Sequence, residues 1–496
     1  MTVKSDERGS QVTMATEEAS IPDGGWGWIV VIASFFMVCL MVGGTSCTFG
    51  IFYHEFLNYY GESKGKTSWI ASIMVATSYC VGPFSSALAN RFGCRIIAII
   101  GSITAAAGLL ISTQAPNVLT LYFTIGILTG GGFGLMSLPA IVMVSSYFDK
   151  KLALATGLAV SGVGLGIFVL APLTEYLLKI LSWQWTMTVI AALVLSSVIS
   201  GALFRPVVYC PQRESSSNPS LVKQNSNTHI IPSIEFISLE HRTGLNLPSK
   251  SNLEAGTTNK EHNFLEKMWN SFREVMDFSL LKDSVFLLFG ISNLLTNIGL
   301  IVPYIYIKNL VLETGIASPE KASLLLSVIG ISNTIGRIVL GYLSDKSCFN
   351  RLWIFNICLL ICGITVVLIC FASSYALIAA YSSIFGVTSG AYSSLTSVII
   401  KDFVGRDKLA NAFGIVLVFQ GIASLIGPPI TGSLYDSTGS YEPGFIISGI
   451  ALSVSGLILF FVPCISRRST IHGSQQVDCP MSNVAEESVT SVKHLL

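Results

Sequence analysis

The chain has 496 residues, 51% hydrophobic and 11% charged, with a mean hydropathy of +0.66. A soluble domain carries roughly a quarter charged residues, so a soluble enzyme, a disordered protein and a secreted disulfide scaffold all fit poorly. The 29 basic and 28 acidic residues nearly cancel, which leaves none of the basic excess that a nucleic-acid partner requires.

Twelve apolar stretches are long enough to cross a bilayer, each about 20 residues or more. In chain order they run over 27–52, 68–90, 95–113, 118–146, 152–178 and 183–204, then 284–307, 321–344, 352–372, 375–400, 411–434 and 442–464. Helices satisfy their own backbone in lipid, and the short alternating strands of a closed barrel are absent. The fold class is therefore an all-α membrane protein, with twelve transmembrane helices in two six-helix parallel repeats. The first 25 residues are polar and acidic and lack the apolar core of a removable signal peptide. Cys39, Cys47, Cys80, Cys358, Cys362 and Cys370 sit within apolar runs and form no C-x-x-C pair, so they read as small buried hydrophobes.

An even number of spans puts both termini on one side. That side collects 23 of the 29 basic residues, against five (Lys64, Lys66, Lys179, Lys308 and Lys321) on the other. The positive-inside rule makes it the cytosol. The expected organisation is a cytosolic tail (1–26), a bundle (27–205), a cytosolic loop (206–283), a second bundle (284–465) and a second cytosolic tail (466–496). The central loop is rich in Ser, Asn and Lys and reads as a disordered tether. Near its end Leu265, Met268, Trp269, Phe272 and Met276 recur at helical spacing, which suits an amphipathic helix on the membrane surface.

The chain also repeats itself. Lys151-Leu152-Ala153-x-Ala155-x-Gly157, continuing to Gly164 and Pro172, returns 257 residues later as Lys408-Leu409-Ala410-x-Ala412-x-Gly414, Gly421 and Pro429. Leu88-Ala89-Asn90-Arg91 is echoed by Leu343-Ser344-Asp345-Lys346 at an offset of 255. Small residues at matched positions let helices approach closely. Two like-oriented halves joined by a cytosolic loop describe a parallel-repeat transporter whose site lies near the midplane. The short basic loops resemble the loop signature of the major facilitator superfamily. Arg91 and Lys346 can then clamp helix ends or carboxylates in one conformation and release them in the other. Asn90 stands where that signature has Asp.

Two longer motifs narrow the resemblance. Asp23-Gly24-Gly25-Trp26-Gly27-Trp28 opens the first span, and Tyr147-Phe148-Asp149-Lys150-Lys151-Leu152-Ala153 leads into the fifth. Both resemble the signatures of the monocarboxylate transporter family, over roughly residues 22–465 apart from the central loop. Read as residues alone, the paired Trp are interface anchors and the glycines serve packing. We assign Asp23, Trp26, Arg91, Lys150, Lys151, Asp345 and Lys346 to conformational coupling rather than to cargo contact.

Span boundaries leave Arg337 as the sole basic residue within a span, and they leave no acid in a span interior, with Glu175 near the outer end of the fifth. A charge near a helix centre costs about 2.5–3.5 kcal/mol on insertion scales, which makes it a functional candidate. Guanidinium presents a planar fork that matches a carboxylate. The competing reading is snorkelling to the interface or pairing with a buried acid. The resemblance implies that this arginine binds the anion. It also implies what is missing: proton-coupled members have an Asp one turn earlier, where Asn333 stands, and a Lys deep in the first span, where Thr45, Ser46 and Cys47 lie. Other members carry an acid in the tenth span, where Ser389 stands. Without a titratable relay, facilitated diffusion is expected rather than strict proton symport. Tyr304, Asn297 and Tyr392 are further candidate lining groups, each equally suited to helix packing. The candidate substrate-binding set is Arg337, Asn333, Ser46, Thr45, Tyr304, Asn297 and Ser389.

The expected cargo is a small carboxylate-bearing metabolite. Competing readings are a carrier for a zwitterionic or neutral metabolite, such as an amino acid or creatine-like compound, and a non-transporting sensor or scaffold. No catalytic motif, metal-ligand spacing or cofactor loop is present: Gly61-x-x-x-Gly65-Lys66-Thr67 is one residue short of a phosphate loop. No acceptor for an N-glycan occurs, since Asn218 is followed by Pro219. The resemblance implies a single-span immunoglobulin-type ancillary protein for delivery to the plasma membrane.

Overall fold

The computed structural model describes residues 24–148, 151–205, 278–344, 350–405 and 408–462. Twelve helices in it are long and apolar enough to cross a membrane. They are α1 (Trp26–Tyr60), α2 (Lys64–Phe92), α3 (Cys94–Ser112), α4 (Val118–Tyr147), α5 (Leu152–Ile180) and α6 (Trp183–Ala202). After a short 3-10 turn come α7 (Ser284–Glu313), α8 (Pro319–Ser344), α9 (Arg351–Cys370), α10 (Tyr375–Val404), α11 (Leu409–Thr438) and α12 (Glu442–Leu459). Polar side chains start several of them by accepting the free backbone N–H groups of the first turn. Asn117 accepts from Thr120 N at 2.9 Å, Asp283 from Val285 N at 2.9 Å and Asn350 from Leu352 N at 3.0 Å.

Several helices overrun the apolar stretches. Hydropathy marks where the hydrocarbon lies, whereas the backbone stays helical into the polar interface. Thus α1 continues to Tyr60 and α7 to Glu313, and Lys308 belongs to a helix rather than to a loop. Two helices also carry a π-helical segment, Cys39–Ser46 in α1 and Tyr122–Thr129 in α4. There Thr45 Oγ1 donates to Leu40 O at 3.0 Å, Ser46 Oγ to Met41 O at 3.3 Å and Thr129 Oγ1 to Thr124 O at 3.0 Å. Each bond reaches five residues back, which matches the widened turn.

Packing follows the sequence repeat. Within α1–α6, α3 packs on α4 and α6, and α1 on α5 and α6; the matching pairs within α7–α12 are α9 on α10 and α12, and α7 on α11 and α12. Between the two sets, α2 packs along α11 and α5 along α8, two seams that exchange under the repeat. The repeated glycines sit in them. A Cβ on Gly164 would lie 2.4 Å from Gly330 O across the α5–α8 seam. One on Gly421 would lie 3.0 Å from Cys80 Sγ across the α2–α11 seam. The outward faces carry exposed Ile103, Phe123, Ile199, Ile338 and Phe461, as a lipid-facing surface must.

Cross-seam polar contacts gather at the end opposite residues 24 and 462, here the far end. Asp436 on α11 accepts from Lys64 N and Gly65 N at the start of α2, both at 2.9 Å, where the helix dipole favours a carboxylate. Lys64 also pairs with Glu313 and lies over the Tyr435 ring at 3.2 Å. Lys179 pairs with Glu320, and His54 Nδ1 meets Asn309 Oδ1 at 2.7 Å.

The far end also holds a pair that overturns a sequence expectation. Lys308 and Glu175 were placed at span edges, yet Lys308 Nζ donates to Glu175 Oε2 at 2.5 Å with side-chain exposures of 2% and 11%. Ser323 Oγ on α8 donates to the same oxygen at 2.7 Å. Arg337 is therefore not the sole basic residue within a helix span, and an acid does lie in one. The expectation failed because α7 stays helical beyond its apolar stretch, and Lys308 and Glu175 are both buried there, Glu175 also bonded to Ser323 of α8.

Candidate functional site

Arg337 lies in the second half of α8, a helix whose buried face includes Ser332, Asn333, Gly336 and Arg337. It is 8% exposed, so it does not snorkel to an interface. Its Nε donates to Asn333 Oδ1 at 2.8 Å, one turn back on the same helix. Asn333 Nδ2 in turn donates to Ser389 Oγ on α10 at 3.1 Å. This short span between helices is possible because a Cβ on Gly336 would sit 2.2 Å from Val387 O, and one on Gly390 2.4 Å from Asn333 O. Ser389 Oγ gives its own proton to Gly386 O at 3.0 Å, so Tyr304 OH on α7, 3.4 Å away, is the donor in their contact.

The guanidinium is left incomplete. Its Nη1 is buried with no hydrogen-bond partner, and no carboxylate among the described residues pairs with it. An unmet donor on a buried charge costs about 1–3 kcal/mol or more. Such an orphan needs a reason. The neighbours that feel its charge are Tyr304 of α7 and, from the other half, Cys47 of α1 and Tyr79 of α2. Arg337 therefore faces the junction between the halves, surrounded by neutral groups.

A second polar cluster adjoins the first. Asn293 and Asn297 of α7, Tyr392 of α10 and Gln420 of α11 are all buried and bonded to one another.

Of the sequence candidates, the structure joins Arg337, Asn333, Ser389 and Tyr304 in one chain of contacts, and it places Asn297 with Tyr392 in the second cluster. Among the described residues no hydrogen bond joins Thr45 or Ser46 to Arg337; their hydroxyls bond their own π-helical turn, and Cys47 of α1 feels the charge of the guanidinium. Tyr79, Asn293 and Gln420 were missed. Their signal was available, since an amide in an apolar span is itself costly and points inward.

The coupling candidates divide differently. Trp26 Nε1 donates to Leu203 O at 3.1 Å, and the Arg205 guanidinium covers its ring at 3.9 Å, so it pins the start of α1 to the end of α6. Arg91 lies in the last turn of α2, 5.5 Å from the Phe92 ring, and Lys151 caps α5 and is exposed. Asp23, Lys150, Asp345 and Lys346, the side chain of Asn90, and the helix expected over Leu265 to Met276 lie outside the described residues. Beyond Lys346, Arg351 reaches Asp402 at 3.2 Å and Ser344 O at 3.1 Å. Among the described residues no group of three His, Cys, Asp or Glu could hold a metal ion.

Comparison with known proteins gives this arrangement a context. The family model described as Major Facilitator Superfamily matches residues 34–276 and 284–476. Monocarboxylate transporter 12-B of Danio rerio is 32% identical over 448 residues, covering 90% of this chain and 88% of that protein. Monocarboxylate transporter 14 of Mus musculus is 31% identical over 484 residues, with 91% and 94% covered. Monocarboxylate transporter 9 of Gallus gallus is 31% identical over 487 residues, with 89% and 94% covered. Among solved structures, the nucleoside transporter NupG superposes with a TM-score of 0.62 at 14% identity, covering 88% of this chain and 100% of that one. At that identity the likeness concerns the fold alone.

Proposed function

We propose a cargo and a mechanism from one premise: the chain belongs to the monocarboxylate transporter family of the major facilitator superfamily, a family of membrane transporters. It moves a small carboxylate-bearing metabolite by alternating access, with the bundles of residues 27–205 and 284–465 rocking about a site at Arg337. The single observation that carries this reading is the buried, unpartnered Nη1 of Arg337 beside groups from both halves. A carboxylate supplies both the charge and the acceptors that the protein withholds, and the planar fork accepts it bidentately.

Movement is by facilitated diffusion. The groups in series from Arg337, namely Asn333, Ser389 and Tyr304, include no carboxylate or imidazole, so the cargo's charge is met by a fixed cation and not by a proton taken up beside it. The names of the relatives support a monocarboxylate. The excess of basic residues on the terminal side supports cytosolic termini, which makes the far end the outer one. Residence in the plasma membrane with a single-span immunoglobulin-type partner rests on the family resemblance.

The test is uptake into proteoliposomes of matched acids and their amides. The expected result is saturable uptake of the acid and little of its amide, and an inward proton gradient at zero membrane potential that drives no accumulation. Equal uptake of acid and amide overturns carboxylate recognition. Concentrative uptake under the gradient overturns facilitated diffusion.

A further inference from the structure

We propose that Asn297 and Gln420 form a second recognition pole, which selects carboxylates that also carry an uncharged hydrogen-bond donor such as a hydroxyl or an amide N–H. The inference rests on Arg337 as the carboxylate site and names what the rest of the cargo must offer.

Backbone carbonyls fix how Asn293 and Asn297 are turned, and Asn293 Oδ1 fixes Gln420 in turn. Asn293 Nδ2 donates to Phe289 O at 3.0 Å, so its Oδ1 is left to accept. Tyr392 OH donates to that oxygen at 2.9 Å and Gln420 Nε2 at 3.2 Å. Asn297 Nδ2 donates to Asn293 O at 3.0 Å and to Tyr392 OH at 2.8 Å, and Gln420 Nε2 donates to Tyr392 OH at 2.9 Å. The phenol then gives one bond and accepts two, which exhausts it. Two acceptors remain, Asn297 Oδ1 and Gln420 Oε1. The two residues are only 1% and 7% exposed, yet neither oxygen takes a bond from the described protein. Like Arg337 Nη1, both are left to a partner that comes from outside the chain.

The two poles lie at one depth. Asn333 and Ser389 touch, and α8 and α10 run in the same direction. Arg337 follows Asn333 by four residues and Tyr392 follows Ser389 by three, each about one helical turn onward. Tyr79 of α2 lies near enough to both Arg337 and Tyr392 for each to feel its charge. Donors on one side and acceptors on the other suit a cargo with a carboxylate at one end and a donor at the other. The donor is uncharged, because no acid joins these groups and an ammonium there would share the site with a guanidinium.

The experiment is uptake of β-hydroxybutyrate against butyrate in proteoliposomes, with the full-length protein and with Gln420→Met, which keeps length and loses the amide. One neutral hydrogen bond made good is a preference of about tenfold for the hydroxy acid. That preference should fall toward unity in Gln420→Met. Equal uptake of the two acids by the unaltered protein overturns the proposal without reference to any variant, as does an unchanged preference in Gln420→Met. Uptake of neither acid, or uptake of both that survives Arg337→Ala, overturns the carboxylate reading and this one with it.

Discussion

Two buried cations of the second half can be set side by side. Lys308 on α7 is met by Glu175 of the opposite half and by nothing that could leave. Arg337 on α8 is met by an amide on its own helix and keeps a nitrogen without a partner. Both are dry and both face the other half. The first is a completed ion pair that ties α5 to α7 and, through Ser323, to α8. The second is a half-completed site. A protein that buries a charge without answering it has left the answer to a mobile ion, and that difference separates a strut from a binding site.

The largest effect should come from uncoupling the strut. Removing one member of a buried pair strands the other, at about 3–5 kcal/mol. Glu175→Leu should therefore lower the unfolding midpoint of the purified protein sharply. Adding Lys308→Leu should return most of the loss, because two apolar side chains replace a pair that had only balanced itself. A single variant as stable as the double would show that the pair is not dry.

Turning the site into a strut should have the next effect. Asn333→Asp places a carboxylate at the Asn333 Oδ1 position, 2.8 Å from Arg337 Nε, where it competes with the cargo. Uptake at neutral pH should fall by about tenfold or more. It should recover as pH drops, since protonating the new acid frees the guanidinium. A variant whose uptake is unchanged at every pH would remove Asn333 from the site.

The smallest effect should follow from the far-end ion pair of Lys179 and Glu320, whose side chains are 45% and 49% exposed. Screened by solvent, such a pair contributes about 0–1 kcal/mol. Lys179→Ala should leave both unfolding and uptake near their original values. A large loss there would mean that the far end is held by surface charge rather than by the dry pair beneath it.

How much of this could be read from the chain depends on where each residue stands. The twelve helices were legible because a bilayer imposes its thickness on composition, and Arg337 because a charge amid apolar neighbours has no other excuse. The repeat marked Gly164 and Gly421 as places of close helix approach, and they occupy equivalent places in the two seams. Lys308 and Glu175 were hidden by the same method that revealed Arg337. They stand where hydropathy fades, and only the packing of α5 on its neighbours shows that they remain enclosed. Thr45 and Ser46 looked like lining groups because position along a span says nothing of rotation, and a π-helical turn shifts every later side chain around the axis. Gln420 and Asn293 carry amides that an apolar span turns inward, but the sequence does not tell an amide that lines a site from one that merely packs.

The central claim is that Arg337 recognises its cargo by shape as well as by charge. Uptake of a radiolabelled monocarboxylate by Arg337→Lys, set against the unaltered protein at equal amounts in the membrane, tests it most directly. An ammonium keeps the positive charge and loses the fork, so uptake should fall by about 10- to 100-fold. Uptake at the original rate would contradict the account, because any cation would then serve.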